Sequence, residues 1–160
     1  MQSLILRAVV CVGLMGTAAY AQTPDPQVAA PIQKFIDAFN KGDIAGASAT
    51  HAKEADLVIL DEVAPYLWTG PQAFDKWLGD LDGDSKKNGI TDQKVTIGPP
   101  TRIETSGAVA YVVVPAVYTF KQKGVPMRER AQMTFALKKG ASGWMIHGWT
   151  WTGPKAQKTS

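Results

Sequence analysis

Apolar residues recur with the spacing of helices in the first half of the chain and with the spacing of strands in the second. Ile32, Phe35, Ile36 and Phe39 fall at i, i+3, i+4 and i+7, one stripe of a helix that Pro31 opens and Asn40-Lys41-Gly42 closes. Asp43 stands where it would cap a second, short helix through Ile44 and Ala47 that frays near Thr50-His51. Leu57 to Leu60 is an aliphatic run of strand length that stops at two adjacent acids, Asp61 and Glu62, with Pro65 beyond. After Pro71 the helical stripe returns at Phe74, Trp77, Leu78 and Leu81, and the polar stretch Asp82 to Gly89 ends it.

Beyond Gly89 the period becomes two. Val95 and Ile97 alternate with Lys94 and Thr96 before Pro99-Pro100 interrupt, and Ile103 resumes the pattern. Val109 to Phe120 is apolar on both faces, which predicts a long central strand with a bulge or an unpaired position at Pro115. From Met127 to Leu137, Met127, Ala131, Met133, Phe135 and Leu137 share one face, and Arg128, Arg130, Gln132 and Thr134 share the other. Trp144 to Trp151 supplies the last strand, with His147, Trp149 and Trp151 on one alternating face. Helices followed by hairpin-linked strands are the α+β pattern: three helices of the N-terminal half packed on the concave face of a curved antiparallel sheet. Gly153 to Ser160 is polar and expected to fray.

Composition narrows the function classes. A chain of 160 residues, 45% hydrophobic and 19% charged, is one ordinary globular domain. Arg7, the apolar run Ala8 to Gly16 and Ala19-Tyr20-Ala21 form a secretory signal with cleavage expected after Ala21, so residues 1–21 leave and residues 22–30 start the mature chain as a flexible segment. The apolar run falls short of the ~20 residues that span a bilayer, so no stable membrane anchor is expected. Cys11, the single cysteine, goes with the signal, which removes disulfides, thiolate catalysis and cysteine metal sites from a periplasmic or secreted product. Without Arg7, sixteen basic residues face fourteen acidic ones, too even a balance for a nucleic-acid partner.

The order of elements, together with Phe35-Ile36-Asp37-Ala38-Phe39-Asn40-Lys41-Gly42-Asp43-Ile44, Trp68-Thr69-Gly70-Pro71 and Gly143-Trp144-Met145-Ile146, resembles the nuclear transport factor two-like superfamily. Within it the chain is similar to SnoaL-like and ketosteroid isomerase-like proteins over residues 31–152. The resemblance implies a cone-shaped α+β domain with a pocket between helices and concave sheet, often dimerising through the sheet's outer face. In the isomerase branch a general-base Asp stands nine residues before the Gly that opens the helix, and that position here is Asp61, ahead of Gly70. The oxyanion donors of that branch, a Tyr on the first helix and an acid on the penultimate strand, fall on Phe35 and near Met133, neither of which donates. Such donors are worth roughly 3 to 4 kcal/mol each, so the resemblance does not carry that isomerisation over.

Candidate chemistry therefore centres on Asp61 as a carboxylate facing an apolar cavity, with Glu62 pointing away by strand alternation and His147 as a second proton-transfer group. Phe35, Phe39, Trp68, Trp77, Tyr118 and Gln132 are the expected pocket residues, and His51 is assigned to a structural place at a helix end, where a positive side chain suits the dipole. The two histidines have no metal-ligand spacing, and Asp80, Asp82 and Asp84 imitate a calcium loop that has Ser85 where Gly is needed and Thr91 where Glu is needed, so neither metal nor other cofactor is expected. Three functions stay open: a homodimeric exported protein binding a small apolar or aromatic molecule, a metal-independent enzyme of isomerase or hydratase type using Asp61, and a dimeric interaction module with a vestigial pocket.

Overall fold

The computed structural model describes residues 25–159, so residues 1–21, expected to be a secretory signal, and Cys11 among them lie outside the described residues. Pro31 stands in the first turn of helix α1 (Ala30–Lys41), whose stripe of Ile32, Phe35 and Ile36 is buried, and Gly42 closes it at φ 69°, where an L side chain would be strained. The Asp43 carboxylate accepts from the Gly46 N–H and caps α2 (Ile44–Ser48). Helix α3 (Ala73–Asn88) buries Phe74 and Trp77 and keeps Asp75, Asp80 and Asp82 exposed. It runs unbroken through Asp80, Asp82 and Asp84, so these three sit on a helix and form no calcium loop.

Strands β1 (Val58–Leu60) and β2 (Leu67–Thr69) make a short hairpin, and β3 (Ile90–Ile97), β4 (Arg102–Ser106), β5 (Val109–Gln122), β6 (Val125–Gly140) and β7 (Gly143–Thr152) follow. Together with β8 (Gln157–Lys158) they form one eight-stranded sheet, with β2-β1-β7-β6-β5-β3 in order, β4 beside β5 and β8 beside β6. Its pairings are antiparallel except that of β1 with β7. Two residues with positive φ, Lys123 and Gly124, turn β5 into β6, the hairpin tip that the Lys-Gly sequence signals.

Pro115 causes no bulge against β6. Its missing N–H faces the gap between β3 and β4, where its carbonyl accepts from Gly98. Both ends of the described stretch are tied down more than their composition suggests. Asp25 accepts from Lys139 Nζ and from the Trp144 indole, which hold its carboxyl well below the usual range, and Val28 is fully buried. The segment after Thr152, expected to fray, returns to pair Gln157 with Arg128 and Lys158 with Met127.

Helices α1 and α3 lie on one face of the sheet and bury inward residues of β5, β6 and β7, among them Val112, Val114, Phe135 and Trp149. No helix among the described residues is long and apolar enough to cross a membrane.

Candidate functional site

Between α1, α3 and the inner face of the sheet lies a cavity of about 190 Å³. Its walls are aromatic because the inward positions of the elements around it are. Phe35 and Phe39 come from α1, Trp77 from α3, Tyr118 from β5, and Trp149 and Trp151 from β7. The Trp77 and Trp149 rings meet edge to face with centroids 4.9 Å apart, and Phe35 stands 5.8 Å from Trp149 and 6.3 Å from Trp77.

Asp61, Glu62 and Asp84 also line the cavity, and none of its lining residues is basic. The strand ends at Leu60 and the chain bends through Asp61-Glu62-Val63, closed by a Tyr66 N–H to Val63 carbonyl bond, so alternation no longer applies. Both acids therefore face the cavity, whereas Glu62 was expected to point away. The Trp77 indole donates to Asp61 Oδ2 at 2.5 Å and the Glu62 N–H to Oδ1 at 2.7 Å. Burial pushes the Asp61 carboxyl up from its ordinary pKa, against those two bonds.

Glu129 is the acid that inspection of motifs passed over. On β6 it is 1% exposed, directly across from Tyr118 on β5, and its Oε1 accepts from the Trp151 indole at 2.6 Å. Glu62 loses hydration at the mouth and shares a hydrogen bond with Glu129, and these two effects push its carboxyl up to about 8. Loss of hydration and a neighbouring acid both favour the protonated form of the Glu62 carboxyl. The signal for Glu129 was present in the sequence: it occupies an inward position of an alternating strand, two residues from Met127 and two from Ala131. Tyr118 donates to Gln93 Oε1 at 2.5 Å, and burial raises its phenol above the usual range.

Of the expected site residues, the structure brings Phe35, Phe39, Asp61, Trp77 and Tyr118 to this cavity. It places three elsewhere. Gln132 is exposed on the outer face of β6, because Met133 beside it points inward. Trp68 is buried behind the cavity against α3, where its indole donates to Asp80 at 2.8 Å. His147 is displaced by a bulge. Ala136 pairs with Gly148 but Leu137 pairs with Ile146, so His147 is the extra residue of β7, and Ile146 and Trp149 both face inward across it. Its ring lies on the outer face, with Nδ1 3.4 Å from Asp56 and 3.9 Å from Glu54.

His51 is structural, though not as a positive helix-end group. The Trp149 indole donates to its Nε2 at 3.0 Å, which puts its own proton on Nδ1, 3.0 Å from the Ala47 carbonyl. Burial between Phe35 and Phe74 lowers its pKa to about 4, so it is neutral.

A solved nuclear transport factor 2-like superfamily protein from Salmonella enterica is similar at TM-score 0.65 and 14% identity, over 81% of this chain and 89% of that one. A ketosteroid isomerase-like protein from Erwinia carotovora gives TM-score 0.62 and 22% identity, over 82% and 99%. A putative scytalone dehydratase from Novosphingobium aromaticivorans gives 0.66 and 10%, over 83% and 85%. At such identities these likenesses establish the cone fold alone. No curated protein matches the sequence. The SnoaL-like domain family matches residues 28–150, most of the chain and every element around the cavity, and the chain belongs to that family.

Proposed function

We propose that this is an exported protein whose cavity binds a small aromatic molecule with a hydrogen-bond-donating or positively charged end. The observation that carries this reading is the pairing of aromatic walls with three lining acids and no basic residue. The indole N–H groups are already spent, Trp77 on Asp61, Trp151 on Glu129 and Trp149 on His51, so the walls offer ring faces and the mouth offers carboxyl oxygens. Ring faces and carboxylates together favour a cation over an anion. A volume of about 190 Å³ is that of one ring with a short substituent, given that ~150 Å³ holds benzene.

Titration of the intrinsic tryptophan fluorescence tests it, because three of the five tryptophans line the cavity. Ring-matched benzylamine, benzyl alcohol and benzoate should bind in that order. Equal or tighter binding of benzoate would reject the reading.

A second reading, proton-transfer catalysis, is favoured by one specific observation: Glu62, its carboxyl pushed up by burial and by Glu129, lines the cavity together with Asp61. Asp61 is then the base, and the Glu62 carboxyl in its protonated form is the hydrogen-bond donor that Phe35 and Met133 do not provide. Turnover by Asp61→Asn equal to that of the unaltered protein would reject it. Export is checked by finding Gln22 as the first residue of the periplasmic or secreted protein. Homodimer formation is supported by the exposed outer side chains of β5, with Val109 47% and Tyr111 42% exposed, and is checked by light scattering.

A further inference from the structure

On the outer face of the sheet, opposite the cavity, the bulge of β7 sets His147 against the segment that leads into β1. The ring is 8% exposed, and its Nδ1 is buried with no hydrogen-bond partner. A buried imidazole nitrogen left in this way loses hydration without compensation, which proteins seldom tolerate without a reason. The reason lies in what Nδ1 faces. Asp56 Oδ1 is 3.4 Å away and Glu54 Oε2 3.9 Å, and the three donor atoms all lie within 4.8 Å of one another.

We propose that His147 Nδ1, Asp56 and Glu54 form a site for a divalent first-row transition metal, with zinc as the reference ion. With metal bonds of ~2.0 to 2.1 Å, two ligands of a tetrahedral zinc stand about 3.3 to 3.4 Å apart, the separation already present between His147 and Asp56. Glu54 is exposed and needs only a side-chain rotation to close the third edge, leaving the fourth position to water. One imidazole and two carboxylates suit zinc, manganese or nickel better than calcium, which takes oxygen alone. His147 is also the one imidazole free to serve, since both ring nitrogens of His51 are engaged.

Lys138 shapes the site. Its ammonium holds Asp56 Oδ2 and leaves Oδ1 toward His147, which orients the carboxylate for a metal while opposing the metal's charge. A His147 to Asp56 ion pair would use the same side chains, and what separates it from a metal site is the uptake of one ion per chain. Because the donors join the loop before β1 to β7, the ion's role is to pin that loop, away from the cavity chemistry.

Isothermal titration of the tag-free protein with zinc chloride at pH 7.5 decides the matter. One zinc per chain is expected. Glu54→Gln and Asp56→Asn should each weaken binding by roughly tenfold or more, since loss of a ligand exceeds the 10 to 100-fold cost of losing an outer-shell partner at its lower end. Lys138→Gln should tighten binding several-fold. His147→Ala should abolish it, and the two exposed-acid variants carry the test if that protein fails to fold. Cobalt in place of zinc should show the visible absorption of a four-coordinate ion, lost in Asp56→Asn. No heat with zinc at millimolar concentration, or zinc binding indifferent to both acid variants, would overturn the proposal.

Discussion

Behind Phe35, where His51 stacks on Phe74 and accepts from Trp149, each polar side-chain atom has a partner and no group is charged. At the mouth, Glu62, Glu129 and Asp61 crowd three carboxyl groups into one space with no base to neutralise them. Both regions are built from the same elements, α1 or the β1 turn against α3 and β7, and both bury titratable groups. Burial alone therefore does not mark a functional site. The packed end spends its polar groups on holding rings in place, whereas the mouth leaves like-charged groups uncompensated, a cost that a bound ligand would relieve.

The two ends should respond to pH with opposite signs. Truncation at the packed end has the largest effect: Phe74→Ala should lower unfolding free energy by about 3 to 5 kcal/mol in urea titrations, since the ring is fully buried. Next comes His51. Its folded pKa of about 4 lies below the ordinary 6.5, so the unfolded chain takes up the proton first as pH falls. The contribution is complete above 6.5 and is lost on the way down to 4, about 3 kcal/mol in all. His51→Asn should be less stable at pH 7 but flat over that interval. A mutant with the same slope as the parent would break the comparison.

At the mouth the smaller effects lie. Glu129→Ala strands the Trp151 N–H and should cost about 1 to 3 kcal/mol, while Glu129→Gln keeps an acceptor, removes the like charge and should cost less. Glu62 has the reverse linkage to His51. Its folded pKa of about 8 lies above the ordinary 4.5, so its contribution is present below 4.5 and is lost as pH rises through 8. Glu62→Gln should therefore raise the melting midpoint at pH 9 and leave that at pH 4 unchanged.

Much of this architecture is legible in the sequence because periodicity reports burial directly. The stripe Ile32, Phe35, Ile36 and Phe39 and the alternation in β6 predict their buried faces without tertiary information. What escaped were departures from periodicity. One residue added at the β7 bulge moved His147 to the outer face, and a bend after Leu60 brought Glu62 inward beside Asp61. The parallel pairing of β1 with β7 and the return of β8 along β6 rest on long-range contacts, which local patterns do not encode. Glu129 was hidden differently, since an acid between Arg128 and Arg130 reads as surface until the strand's phase is taken seriously.

The central claim is that burial and a neighbouring acid at the cavity mouth push the Glu62 carboxyl well above its ordinary pKa. Carbon-detected NMR titration of the side-chain carboxyls of Asp61, Glu62 and Glu129 in the ligand-free protein tests it most directly. The Glu62 carboxyl should titrate near pH 8, and the step should move to lower pH in Glu129→Gln. Titration of Glu62 below pH 5 would contradict the account.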